Sequence, residues 1–467
     1  MHVFLAGFCA RGNNSGSGIS WTPNIRQKTY AGDGAFVHMR LTVSFLGILS
    51  VAWPLLAGDV ALEAGLARVE ITPNKSMTMY GYDKRACGPS NGTHDPLFAK
   101  VLVLRTGDSR LAIVTLDLGV FMSERLRKDV AGRLGIPVLL LSASHTHSGP
   151  EFLVEETGAA TPEGAPYLAE VEHKIFSAVE DASKAMFPVR LSVGRGSLQL
   201  GYNRLLPRED GRSRALFDNL ERVPYGPVDP EVVVLRVEDA ASGAARALIV
   251  HYACHSVVLG PTNCKYSADW PGAMQSKVEA EMPGTQCMFV QGGAGDINPI
   301  FMGRTGNESE DFVPVKKMGE LLADEVLKTA RGMKPGAPNR QPIRSTSQTL
   351  TFRNRWDRDK PVEAVITTVL INGEIAIAAV PGEPFHKLQT MWKSQAEVAV
   401  PLFYGYTYTG GTAWPDYIPD VKSAAHGGYG ADMSTHIEPG AGERIMLQQL
   451  INLYALQDMW LERPGRP

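Results

Sequence analysis

Val138-Leu139-Leu140-Leu141-Ser142-Ala143-Ser144-His145-Thr146-His147-Ser148-Gly149-Pro150 is an apolar run that gives out into a turn carrying two histidines. Val138–Leu141 reads as a strand, and ligands of α/β proteins gather beyond strand ends. Residues two apart in an extended segment point to the same side, so His145 and His147 both face a pocket there. One would bind a metal while the other handles protons, the work for which imidazole is tuned. The alternative is a pair of histidines satisfied by hydrogen bonds within a loop.

Outward from this stretch, short β-rich runs alternate with helical ones. Strands are expected at Ala99–Leu104, Leu111–Leu116, Val232–Val237, Ala247–Tyr252, Met288–Gln291, Ala364–Ile371 and Ile375–Val380. Helical periodicity is clearest in Tyr167–Met186, and Val315–Arg331 and Glu443–Leu461 read the same way. Long polar loops are expected at Arg204–Pro230, Gly303–Asp311 and Lys334–Gln348. The pattern predicts an α/β fold, one large catalytic domain with mixed β-sheets flanked by helices.

Of the 467 residues 44% are apolar, enough for a large core. Lys and Arg number 46 against 49 Asp and Glu, a net charge of −3, so no basic excess exists to neutralise nucleic acid. The five cysteines, Cys9, Cys87, Cys254, Cys264 and Cys287, form no C-x-x-C pair. A metal here would be held by nitrogen and oxygen.

The apolar run Leu41–Leu56 follows Met39-Arg40 and precedes small residues, the layout of an export signal. Residues 39–58 are therefore read as a signal peptide, Met39 as the true start, and 1–38 as an extension produced by gene calling. The mature chain, 59–467, would be periplasmic or extracellular, with an N-terminal membrane anchor as the alternative. Export would let cysteines pair, the nearest in sequence being Cys254 and Cys264.

Further motifs follow strand ends. Val250-His251-Tyr252-Ala253-Cys254-His255 sets His251 inside a strand as a packed residue and His255 beyond it as a ligand candidate. Gln291-Gly292-Gly293-Ala294-Gly295-Asp296-Ile297-Asn298-Pro299 is a glycine-rich turn whose amides could cradle an oxyanion, or merely a tight turn; it lacks the Walker lysine. Val380-Pro381-Gly382-Glu383-Pro384 ends another strand, and tyrosines cluster at Tyr404, Tyr406, Tyr408, Tyr417 and Tyr429.

Taken in this order, from Gly65-Leu66-Ala67-Arg68-Val69-Glu70-Ile71-Thr72-Pro73 to Pro439-Gly440-Ala441-Gly442-Glu443, these segments resemble the catalytic domain of the neutral ceramidase family, the neutral/alkaline non-lysosomal ceramidases. His145-Thr146-His147-Ser148-Gly149-Pro150 is the most specific element. The resemblance implies a zinc-dependent hydrolase that cleaves the N-acyl amide of ceramide, releasing sphingoid base and fatty acid, with zinc supplying hydroxide at neutral pH. It implies His145, His255, Glu383 and Tyr417 as Zn2+ ligands. Tyr417 is preferred to Tyr406 because it lies twelve residues before Tyr429 of the Gly-Gly-Tyr element. His147, Arg204, Tyr429 and Asn298 fall on the polar residues around the scissile amide. Asp117 and Asp269 are candidate carboxylates for orienting the histidines.

Two departures bear on substrate. Asn298 stands where the family carries a serine, and the chain ends soon after the last motif, where longer members continue into a β-sandwich. The alternatives are a zinc hydrolase of another amide or ester, and a lipid- or glycan-binding relative without turnover. The expected partner is a lipid-like or other N-acyl small molecule, met in transient contact with a membrane surface.

Overall fold

The computed structural model describes residues 61–460, so the extension at 1–38, the signal segment at 39–58 and Cys9 lie outside the described residues. All eight expected strands are present, extended by up to two residues at an end, except that the last closes at Ala379. The three expected helices are α2 (Ala165–Lys184), α4 (Glu308–Gly332) and α7 (Ala441–Leu456). Three boundaries differ from expectation. Asn307 caps α4 by accepting from Ser309 N, so the helix starts inside the loop expected at Gly303–Asp311. The strand Arg344–Phe352 begins inside the Lys334–Gln348 loop, and α7 stops at Leu456 rather than Leu461.

Period-two alternation assigns the strand faces. In Phe98–Thr106, Val101 and Val103 pack with Val171, Ile175 and Val179 of α2, whereas Leu102 and Leu104 pack with Val369, Ile371 and Ile377. Likewise Val232 and Val234 meet α4 through Val315, Leu322 and Val326, while Val233 and Leu235 face the same second sheet. Helices α1 (Glu124–Leu134), α2, α3 (Asp269–Glu281) and α4 thus cover one face of a nine-stranded mixed sheet. A four-stranded sheet of Arg344–Phe352, Val362–Ile371, Ile375–Ala379 and Val400–Tyr404 covers the other. The outer face of that second sheet carries α5 (His386–Gln395) and α7, through Leu388, Trp392, Ile445 and Leu453. The architecture is α/β in four layers, helix, sheet, sheet, helix.

The large sheet brings strand ends together. Its two halves join through the short pairing Glu63↔Pro188 and Ala64↔Phe187, extended by Val189 N to Leu62 O (2.9 Å). On the other side, the buried Lys100 ammonium donates to Cys287 O (2.8 Å) and Gln286 Nε2 to Val101 O (3.2 Å), drawing Gln286–Gln291 toward the other half. The loops after Val138–Ala143, Ala245–Tyr252 and Gln286–Gln291 consequently meet. Ser144 O accepts from Ser256 Oγ (2.7 Å) and Gln291 Nε2 (3.2 Å), and Gln291 Nε2 also donates to Cys254 O (2.8 Å).

The structure settles the cysteine pairing that the sequence leaves open. Cys87 bonds Cys264, 177 residues away, while Cys254 and Cys287 are buried free thiols. Cys254, the cysteine nearest to Cys264 in sequence, instead faces the core between the large sheet and α4. Among the described residues, no helix is long and apolar enough to cross a membrane. The disulfide ties the Met77–Asn91 loop to Pro261–Tyr266, alongside Ala86 N to Pro261 O (2.8 Å) and Asn91 N to Cys264 O (2.9 Å). Replacing Cys87 and Cys264 by serine should cost about 2–5 kcal/mol of stability. Denaturant unfolding checks this, and an unchanged midpoint would refute a structural role for the bond.

Candidate metal centre

His145 and His255 are each 1% exposed and Glu383 is 5% exposed. Their donor atoms all lie within 4.8 Å of one another. Glu383 Oε2 is 3.0 Å from His255 Nε2 and 3.4 Å from His145 Nε2. The second nitrogen of each ring is occupied by backbone: His145 Nδ1 donates to Gly119 O (2.9 Å) and His255 Nδ1 to Ala294 O (2.6 Å). Those bonds fix the tautomer and leave both Nε2 lone pairs aimed at the carboxylate. Tetrahedral corners around an ion with ligand bonds of 2.0–2.1 Å are about 3.3 Å apart. The donor set and its spacing fit zinc.

Electrostatics agree with a site built for a cation. Burial disfavours charge on Glu383, but the two imidazoles outweigh it and hold its acid well below the usual carboxylate range. Burial likewise opposes protonation of His145, yet Glu383 wins and raises its pKa. His255 is lowered, chiefly by burial and by the Arg204 guanidinium.

His147 joins from the same loop, its Nε2 3.2 Å from His145 Nε2. The route is not the expected extended alternation: the strand ends at Ala143 and His145 is left-handed (φ 62°). Tyr80 and Tyr82 pack edge-on against the His147 ring at 5.3 and 4.9 Å, and Arg85 donates to its carbonyl at 2.6 Å. These three residues lie in the disulfide-tied loop.

Arg204 is buried, its Nη1 donating to Asn298 Oδ1 (3.2 Å) and Nη2 to Gly295 O (2.6 Å). The guanidinium lies 5.2 Å from the Tyr417 ring centre and 5.0 Å from that of Tyr429. Burial and the Glu383 carboxylate push the Tyr417 phenol up, and Arg204 partly offsets them. Tyr406 brings its hydroxyl 3.4 Å from Glu383 Oε2 and its ring 4.7 Å from that of His145. Both tyrosines considered for the fourth ligand therefore border the cluster: Tyr406 beside Glu383, Tyr417 between Glu383 and Arg204.

Other expected residues serve elsewhere. Asp117 accepts from Phe98 N and Gln275 Nε2, and Asp269 from Leu259 N and Trp270 N. Neither orients a ligand histidine; backbone carbonyls do. The glycine turn packs against protein: a Cβ on Gly292 would lie 2.4 Å from Gln389 Oε1 and one on Gly295 2.4 Å from Glu383 O. His251 is packed as expected, donating from Nε2 to Phe403 O (2.7 Å). Reading by motif missed Tyr80 and Glu155, linked at 2.6 Å. Burial raises the acids of Glu155 and Asp416, which share a hydrogen bond.

The family described as neutral/alkaline non-lysosomal ceramidase, N-terminal, matches residues 62–341. The chain belongs to that family. The matched segment carries His145, His147, Arg204, His255 and Asn298, whereas Glu383 and the tyrosines come from the sequence beyond it. A neutral ceramidase of Pseudomonas aeruginosa is 26% identical over 273 residues, 54% of this chain and 39% of that relative. The crystal structure of neutral ceramidase from Pseudomonas aeruginosa superposes with a TM-score of 0.67 at 18% identity, covering 88% of this chain and 76% of the other. A ceramidase complexed with C2 gives 0.67 at 17% identity, covering 88% and 77%. These likenesses establish the ceramidase fold over most of the described residues.

Two outcomes test the centre. His145→Ala with His255→Ala should abolish stoichiometric zinc in elemental analysis, and unchanged zinc would reject the ligand set. In the same assay Tyr406→Phe and Tyr417→Phe identify which phenol contributes, loss of the ligand lowering the bound zinc and the other change leaving it unaltered.

His251 tests the core behind the site. Burial, with the Lys393 charge, lowers its pKa to about 4, against about 6.5 unfolded. The unfolded chain binds the proton first, so stability falls as pH drops from about 6.5 to about 4, by up to about 3 kcal/mol. His251→Gln should flatten the acid limb over that window in urea unfolding; an equally steep limb would contradict a buried neutral imidazole.

Proposed function

We propose that the chain is a zinc-dependent hydrolase of N-acyl amides, with a ceramide-like lipid amide as substrate and water as the attacking group. The observation that carries this reading is the buried His145–His255–Glu383 cluster, with both Nε2 atoms turned inward and Arg204 held against it. Bound zinc would lower the pKa of water to about 7 and polarise the acyl carbonyl. The ion would sit on His145, His255 and Glu383, with Tyr417 as the phenolic ligand by family likeness and Tyr406 beside it.

The remaining steps belong to the chain. His147 presents Nε2 to the reacting space, where it would take a proton and pass it to the leaving amine, a step worth about 10²–10⁴-fold. Arg204 places positive charge where the oxyanion develops, and Tyr429, packed beside Tyr417 at 5.5 Å between ring centres, would donate from its hydroxyl. Asn298 offers no nucleophile. Its Oδ1 accepts from Arg204, so the carboxamide fixes the guanidinium instead. The Phe217 and Tyr429 rings, edge-on at 5.2 Å between centres, suit an apolar acyl compound.

Export is part of the proposal, with residues 39–58 as signal and 59–467 as one catalytic unit. The Cys87–Cys264 bond supports it, because disulfides persist in oxidising compartments.

The assay is zinc-loaded protein on a short-chain fluorescent ceramide beside N-acyl amino acids and aryl esters. Ceramide turnover that a chelator removes and zinc restores is the expected result. Ester turnover alone would reject the ceramidase reading in favour of another zinc hydrolase. Ligand binding without turnover at full zinc occupancy would leave only a binding protein.

A further inference from the structure

Asp296 is 1% exposed and has no part in the chemistry above. Its Oδ1 accepts from His386 N (2.9 Å), and its Oδ2 from His386 Nδ1 (2.6 Å) and Asn203 Nδ2 (2.8 Å). Its carbonyl accepts from Arg204 N (2.9 Å). The preceding Gly295 accepts from Arg204 Nη2 and donates from its amide to Pro384 O (2.9 Å). One buried carboxylate therefore collects the segment that carries Arg204, the glycine turn, and the segment that begins with Glu383.

The other side of this junction is open. Asn203, Leu205, Asp296 and His386 line a cavity of about 530 Å³, and Arg204, between Asn203 and Leu205, does not. Alternation along the chain puts the guanidinium on the metal side and its neighbours on the cavity side. The His386 Nε2 has no hydrogen-bond partner among the described residues, so its imidazole is anchored through Nδ1 alone.

We propose that Asp296 and His386 are a positioning pair that sets the Arg204 guanidinium against Glu383. The pair touches neither substrate nor metal ligand atoms; it acts through Arg204. This builds on the reading of Arg204 as the oxyanion's positive charge. A charge that must meet a developing oxyanion tolerates little displacement, so loosening its support lowers kcat more than it raises KM. A pair that merely stabilised the loop would lower melting temperature without that selectivity.

The test uses the full zinc-loaded chain. His386→Ala should lower kcat about 10- to 100-fold with KM and zinc content little changed. Added imidazole, small enough for the cavity, should restore kcat in this variant and not in Asp296→Asn. Adding Asp296→Asn to Arg204→Lys should cost little beyond Arg204→Lys alone, because both changes act through one group. A folded His386→Ala with wild-type kcat, or fully additive losses without imidazole rescue, would overturn the proposal. A second readout does not depend on turnover: the Arg204 Nε–H resonance, assigned through Arg204→Lys, should shift in His386→Ala and return with imidazole. If wild-type protein hydrolyses none of the substrates, the hydrolase reading fails, and this resonance alone decides the positioning pair; an unmoved signal sinks it.

Discussion

A carboxylate has been taken out of water at Glu383 and faced with two lone pairs. Burying such a charge costs several kcal/mol unless it is paired, and here the partners are imidazoles whose Nδ1 atoms are committed to backbone carbonyls. With both Nε2 atoms deprotonated, carboxylate and nitrogens would repel, so the cluster requires a cation at its centre, either a proton or a metal ion. The surroundings avoid adding negative charge. Glu155 and Asp416, the next carboxyls, are pushed up by burial and share a hydrogen bond, which favours one proton between them. Arg204 supplies a nearby positive charge.

That arrangement dictates unusual backbone. His145, Tyr406 and Asp416 all have φ between 51° and 62°. Left-handed conformations at non-glycine residues cost of order 1–3 kcal/mol each and persist where the surroundings over-determine them. Here the determinants are visible: His145 N donates to Leu118 O, Tyr406 N to Gly382 O, and Asp416 O accepts from Glu383 N. Each bond joins a site residue to a segment distant in sequence. Strain at the cluster is thus held by the convergence of strand ends, and that convergence depends on the Ser144–Gln291–Ser256 contacts.

Most strands were legible because aliphatic runs buried on both faces look alike wherever they occur. Which face meets which layer was not, since Val101 and Leu102 are equivalent in pattern but pack in different cores. His145 and His255 were legible as polar residues placed just beyond apolar runs. Asp117 and Asp269 were misread because sequence displays a carboxylate without its partners, and theirs are backbone amides and, for Asp117, the Gln275 carboxamide. Tyr80, Tyr82 and Arg85 carried no signal, since their proximity to His147 is created by the fold and by a disulfide spanning 177 residues.

The amide at Asn298 links these themes. A serine hydroxyl there would be free to rotate toward a substrate, whereas Asn298 presents a planar group whose Oδ1 already accepts from Arg204. The strand pairing Asn298↔Tyr202 fixes its backbone, and Arg204 follows directly after that strand. Asn298 therefore supplies an acceptor for the Arg204 guanidinium. Support for Arg204 comes from two directions, Asn298 on its side chain and Asp296 on its backbone, both within one turn whose glycines leave no room for a Cβ. Under the proposed reading, Asn298 rigidifies the guanidinium without offering a nucleophile, and attack would fall to water.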